Sequence, residues 1–324
     1  MDPLFPPPLM NALDRLQASQ RACPGRGWRE GFRAARLRQT RHVRASRNAW
    51  LNTKRALGEA GVPLCPFRVG ARWSQFPSLE VAYYGPQDNR VVMPSSGWRE
   101  NFLPVDQACL AVQNVFVLLH EATHARLYQT HDLRWAQALP KRIREHADPV
   151  FQQLPGHPGW GVFNEMMADA FAAAWVLRLS HHHPEAVEWV AGLKHYRAQR
   201  EHPRFLYFHD TSRVLDAILA LPLVQLSDTA VVGQVVTDGF GHWLTNGGEA
   251  LCWSHLETQL LSLRDNGAPR GLLAPPVARG TFYRRPELAP YVLRLQTEWP
   301  QHPIFRLSQC DSAQFKPAPE RAHF

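Results

Sequence analysis

From residue 28 onward, Trp28, Phe32, Ala35, Val43, Ala49, Trp50 and Leu57 recur at near-helical spacing, while Arg29, Arg33, Arg36, Arg44 and Arg47 take other faces. The pattern predicts one amphipathic helix, or two in tandem, ending at "GEAGVP". The texture then changes to short extended runs, "LCPFRV", "LEVAYYG" and "RVVMP". Pro86, Asp88 and Asn89 separate the last two and are turn formers, so a β-hairpin or small meander is expected. A long apolar helix follows, from Asp106 as its N-cap to about Thr130. After a basic connection rich in Pro and Gly, "NEMMADAFAAAWVLRL" predicts a second helix, closed by "HHHPE" because Pro184 cannot continue a helix interior. Periodicity also predicts helices in "EAVEWVAGLKHYRAQRE", "TSRVLDAILAL", "DTAVVGQVVTDGFGHWL", "GEALCWSHLETQLLSLR" and "ELAPYVLRLQTEW"; the tail "QFKPAPERAHF" is expected to be loose. The expected class is α+β and mostly helical: residues 1–60 a basic helical segment, 61–185 a core with a small β-sheet, and 186–324 a helical region completing the cleft.

The two apolar helices carry misplaced polarity. In "VFVLLHEATHARLY" two imidazoles and a carboxylate stand among apolar neighbours, where an unpaired buried charge costs several kcal/mol. His120 and His124 are four residues apart, on one helical face one turn from each other, and can close on a single ion. Glu121 sits about 100° round the helix, where it reaches a metal-bound water without ligating the metal. The bland alternative is a pair of core histidines bonded to backbone carbonyls, with Glu121 paired to Arg126 or another arginine.

Zinc catalysis needs a third protein ligand and an open position for water. Position 130 is Thr130 and His131 comes one residue late with no glycine before it, so a third histidine at metzincin spacing is absent. Glu165, 41 residues beyond His124, stands with Asp169 on an otherwise apolar helix, four residues apart. Two carboxylates placed so deep repel one another unless a cation or an imidazole donor lies between them. With Glu165 on the metal, Asp169 is placed to accept the Nδ1 hydrogen of a ligand histidine and orient its ring.

"HEATH" followed by "NEMMADAFAAAWVL" resembles the gluzincin metallopeptidases, and the longer E-x-x-A-D-x-F-A-A-x-x-L match is similar to the second motif of ImmA/IrrE-like and HtpX-like peptidases. The preceding "VAYYGPQDNRVVMP" resembles the strands before the zinc helix in ImmA/IrrE-like proteins. The resemblance implies a zincin-like core, one Zn²⁺ per chain held by His120, His124 and Glu165, Glu121 as general base, and Asn164 and Asp169 as supports. It also implies an edge strand that binds substrate backbone by strand addition, expected at Val91, Val92 and Met93 in "RVVMP". Tyr128, His195, Tyr196, His209, His242 and His255 are all eligible as the donor to an oxyanion, with none singled out by spacing. Adjacent histidines at 181–183 cannot converge on one ion from one helical face and are read as a helix C-terminus.

Charge adds a second theme. Between residues 21 and 55 eleven basic residues stand against Glu30 alone, more than the +8 net charge of the chain. Such a segment suits nucleic acid, an acidic partner, a membrane surface or simply solvent. Five scattered cysteines without CxxC spacing argue against a disulfide framework or a thiolate zinc site. No apolar run spans a membrane and the start lacks a signal-peptide pattern, so the expected setting is cytoplasmic, or export by a signal-independent secretion system. The expected activity is zinc-dependent hydrolysis of a protein or peptide. The alternatives are a regulatory or nucleic-acid-associated zincin-like protein of weak or no activity, and a peptidase toxin or effector delivered without a signal peptide.

Overall fold

The computed structural model describes residues 3–22, 32–72, 82–95, 107–130, 134–138, 158–198 and 210–248. Within them the protein is mostly helical with a small three-stranded sheet. The chain divides into two compact units: residues 1–132 with 163–239, and residues 133–162 with 240–324. The first contains the sheet and every side chain of the candidate site.

Helix α1 (Pro7–Arg21) begins on two prolines in its first turn, where the missing N–H groups have no intrahelical partner to lose. Leu9, Leu13 and Leu16 are fully buried along one face of it. Helix α2 (Phe32–Glu59) is the amphipathic basic helix expected from the sequence, while Trp28 lies outside the described residues. It buries Ala49, Trp50 and Leu57, and the Trp50 indole donates to the Pro94 carbonyl at 3.1 Å. Gly61 closes the helix with φ of 86°, as Val62 N–H reaches back to Leu57 O at 3.1 Å.

Strands β1 (Arg68–Arg72), β2 (Tyr83–Gly85) and β3 (Arg90–Pro94) pair in the order β1-β3-β2. The predicted hairpin is present: β2 and β3 are antiparallel, with Asn89 at φ of 46° in the turn. β1 instead pairs in parallel with β3, setting Val69 beside Val91 and Ala71 beside Met93. This corrects the expected edge strand. Val91, Val92 and Met93 lie in the central strand, with hydrogen-bonding capacity used on both sides. Among the described residues the edges are β1 and β2.

Helix α3 (Gln107–Thr130) is buried along nearly its whole length, consistent with an apolar pattern on every side. It ends where predicted; Asp106, the expected cap, lies outside the described residues. Gln129 ties its C-terminal turn to the hairpin, donating to Pro66 O at 2.9 Å and to Asn89 Oδ1 at 2.8 Å. A short α4 (Arg134–Ala138) follows, then α5 (Pro158–Leu179), the second apolar helix.

The histidine triplet is a helix junction. His181 and His182 adopt left-handed φ values of 50° and 57°, His182 N–H caps Leu177 O at 2.8 Å, and His183 Nδ1 accepts from the Glu185 N–H at the start of α6 (Pro184–Ala198). Helices α7 (Ser212–Leu219) and α8 (Thr229–Trp243) complete the described chain, with a kinked turn over Leu244–Gly248 in which Gly247 takes a φ of 102°. The two helices expected further on, and the tail, lie outside the described residues. No described helix is long and apolar enough to cross a membrane.

Candidate metal centre

Two rigid, buried helices supply the site. The i, i+4 spacing on α3 stacks His120 over His124, and their Nε2 atoms face each other at 3.0 Å. Opposite, on α5, the Glu165 carboxylate places Oε2 at 3.6 Å from His120 Nε2 and Oε1 at 3.6 Å from His124 Nε2. These three residues form the candidate ligand group among the described residues. Ligand bonds of about 2.0–2.1 Å around a tetrahedral ion put donor atoms roughly 3.3–3.4 Å apart, and the three separations bracket that value.

The hydrogen bonds behind the rings fix which nitrogen is free. His120 Nδ1 donates to Asp169 Oδ1 at 2.9 Å and His124 Nδ1 to Asn164 Oδ1 at 3.0 Å. With both Nδ1 atoms protonated, both Nε2 lone pairs converge on one point and repel unless a cation lies there. Among the described residues neither ring uses a backbone carbonyl, unlike the bland core-histidine arrangement. Asn164 and Asp169 occupy the supporting positions expected of them.

Asp169 is fully buried and collects donors from two further places in the chain. Arg197 near the end of α6 places Nη2 at 2.9 Å from Oδ1 and Nε at 2.8 Å from Oδ2, and Thr211, just before α7, donates its hydroxyl to Oδ2 at 2.6 Å. Burial alone would raise the Asp169 carboxyl, but Arg197 and His120 outweigh it and hold the group well below the usual carboxylate range. The cation needed between the two α5 carboxylates is therefore partly the protein's own. Arg197 Nη2 also lies 3.9 Å from Glu165 Oε2. Glu121, Glu165 and Asp169 thus gather around a single guanidinium, and His120, His124 and Glu165 could hold a metal ion beside it.

The same field acts on His120. Burial would lower its pKa, yet the hydrogen bond and charge of Asp169, with Glu165 and Glu121 behind, raise it. Glu121 is buried beside the ligands, and burial pushes its carboxyl above the ordinary glutamate range, with His124 and His120 opposing. The backbone N–H of Tyr84 is among the groups that oppose that rise, which sets β2 beside the base. Arg126, the partner that the bland alternative would give Glu121, sits over the Phe171 ring at 5.8 Å.

Sequence reasoning missed Arg197 and Thr211. They lie 28 and 42 residues beyond Asp169 in the chain, and no periodicity marks them. Of the eligible oxyanion donors, Tyr128 packs its ring against Tyr84 at 5.6 Å, His195 is exposed on α6, and Tyr196 is half-buried beside Arg197. His242 belongs to the other compact unit, and His209 and His255 lie outside the described residues. Cys65 is a free thiol, its Sγ 3.8 Å from Ala122 O, and touches none of the ligand atoms. No family model, curated protein or solved structure matches the chain.

Proposed function

We propose that the protein is a zinc-dependent metallopeptidase of the gluzincin type, hydrolysing peptide bonds in a protein or peptide substrate. The observation that carries the reading is the convergence of two Nε2 lone pairs and one carboxylate, each imidazole held from behind by its own acceptor. Three protein ligands of the His, His, Glu set match a catalytic zinc site, which keeps a fourth position open, better than a structural one. "HEATH" with "NEMMAD" supports the same reading by resemblance.

Bound zinc supplies a water of lowered pKa and polarises a carbonyl. Glu121 takes a proton from the attacking water and returns it to the leaving amine, a role suited to a carboxyl whose basicity burial has increased. Asp169 and Asn164 keep both imidazoles in the tautomer that leaves Nε2 free. A peptide adding as a strand to the free edge of β2 would lie beside Glu121, the position first assigned to Val91, Val92 and Met93.

The test is Glu121→Gln against His120→Ala in the full chain. Glu121→Gln is expected to retain one zinc per chain and to lose cleavage of a denatured protein substrate by about 10²-fold or more, the scale of general acid–base catalysis. His120→Ala loses both zinc and cleavage. A wild-type protein that takes up no zinc, or a Glu121→Gln variant as active as wild type, overturns the reading.

A further inference from the structure

The arginines that the metal centre leaves unused gather on two neighbouring elements. At 3.6 residues per turn, the exposed Arg41, Arg44, Arg47 and Arg55 fall within roughly 120° of arc on α2, opposite a buried arc of similar width that runs from His42 to Leu57. Arg47 marks the seam with the sheet: its Nε donates to Val69 O at 3.0 Å, and Lys54 Nζ donates to Phe67 O at 2.7 Å, so α2 lies along the outer side of β1.

The outward face of the sheet continues the charge. Parallel pairing sets Arg68 beside Arg90, and alternation brings Arg72 to the same face, opposite buried Val69, Val91 and Met93. Gly70 lies between them, and a Cβ there would meet Arg90 Cδ at 3.0 Å, so the bare backbone is what lets the Arg90 stem cross β1. Tyr83 reaches this face through its pairing with Val92 and is 44% exposed. Arg41, Arg44, Arg55, Arg68, Arg72 and Arg90 have no carboxylate partner among the described residues. The acids on these elements are Glu59 at the end of α2 and Asp88 in the hairpin turn.

Unpaired guanidiniums are costly to crowd together unless an anion shares them, and they bind phosphate in a planar, bidentate fork. A row of them beside an exposed aromatic ring offers phosphate contacts with a place for a base to stack, which a duplex cannot use because its bases are already stacked. Insertion into a bilayer is poorly served, since Leu37 is the large exposed apolar side chain among the described residues of α2. We propose that the arginine face of α2 and the outward face of the sheet form one binding surface for single-stranded nucleic acid.

The experiment is fluorescence anisotropy with a labelled single-stranded oligonucleotide, an unlabelled duplex of the same sequence and anionic phospholipid vesicles as competitors. Binding is expected to weaken steeply with salt. Arg41→Glu with Arg44→Glu, and separately Arg68→Glu with Arg72→Glu, are each expected to flatten the log–log salt slope by about 1.4, from roughly 0.7 per phosphate contact on a single strand. Tyr83→Ala is expected to weaken binding about fivefold or more, a stacking loss of about 1 kcal/mol or more. All five positions are solvent-facing, and unchanged circular dichroism and melting certify the variants. Absence of salt-sensitive binding at low ionic strength overturns the proposal. So does insensitivity of binding to either arginine pair, or tighter competition by duplex or vesicles than by the unlabelled single strand. Peptidase activity does not enter the measurement, so this surface and the metal centre stand or fall separately.

Discussion

Arg197 closes on Asp169 through two nitrogens, at 2.9 and 2.8 Å, and both side chains are buried. The pair stands behind His120, whose Nδ1 shares Asp169 Oδ1, so the guanidinium steadies a ligand ring it does not touch. Arg197→Met leaves a buried carboxylate without its counter-charge and is expected to cost about 3–5 kcal/mol at pH 7. Because the folded-state pKa of Asp169 is depressed, the pair's contribution is present above the unfolded carboxylate value of about 3.9 and is lost as pH falls through the folded one. Urea denaturation of the metal-free proteins should therefore show the gap between wild type and Arg197→Met narrowing below about pH 4.

Asn164 isolates the orientation of the second ring. Its Oδ1 accepts from His124 Nδ1 at 3.0 Å, and the residue is only partly buried, so its loss leaves no buried charge unpaired. Asn164→Ala is expected to weaken zinc about 10- to 100-fold while changing metal-free stability by less than about 1 kcal/mol. Competition with a chromogenic chelator measures the first, and a urea midpoint in EDTA the second.

Zinc itself should act as a stabiliser. A ligand that binds only the folded chain adds about 2.7 kcal/mol at 100 times its Kd. Thermal melting with zinc and with EDTA should differ by several degrees for wild type, and this difference should vanish in His120→Ala and Glu165→Ala.

Trp50 joins α2 to the sheet. It is fully buried, and its indole donates to Pro94 O at 3.1 Å. Trp50→Ala is expected to cost about 3–5 kcal/mol through the cavity it leaves. Trp50→Phe keeps most of the packing and should cost about 1–3 kcal/mol, chiefly for the orphaned carbonyl. Chemical denaturation distinguishes the two.

The site was legible where chemistry contradicted local pattern: two imidazoles and two carboxylates in apolar helices pointed to their own convergence, and the ligand spacing agrees. The hairpin was legible because Pro86, Asp88 and Asn89 are local turn signals. Strand order was not, since β1 reaches β3 in parallel across intervening chain and alternation says nothing about which neighbour a strand takes. Helix α1 falls inside the helical segment expected over residues 1–60, though no periodicity set its bounds, and Pro7 and Pro8 are tolerated at its first helical positions. Arg197 was hidden by its setting, an ordinary basic residue near a helix C-terminus whose burial depends wholly on tertiary packing.

The ligand set and its counter-charge are spread unevenly along the chain. Both imidazoles belong to α3, the third ligand to α5, and the guanidinium and hydroxyl that satisfy Asp169 to residues 197 and 211. During synthesis, a chain that has emerged only as far as residue 180 holds all three candidate ligands yet keeps Asp169 without Arg197. The buried carboxylate thus lacks its counter-charge and its hydroxyl donor until Arg197 of α6 and Thr211 have docked against α5.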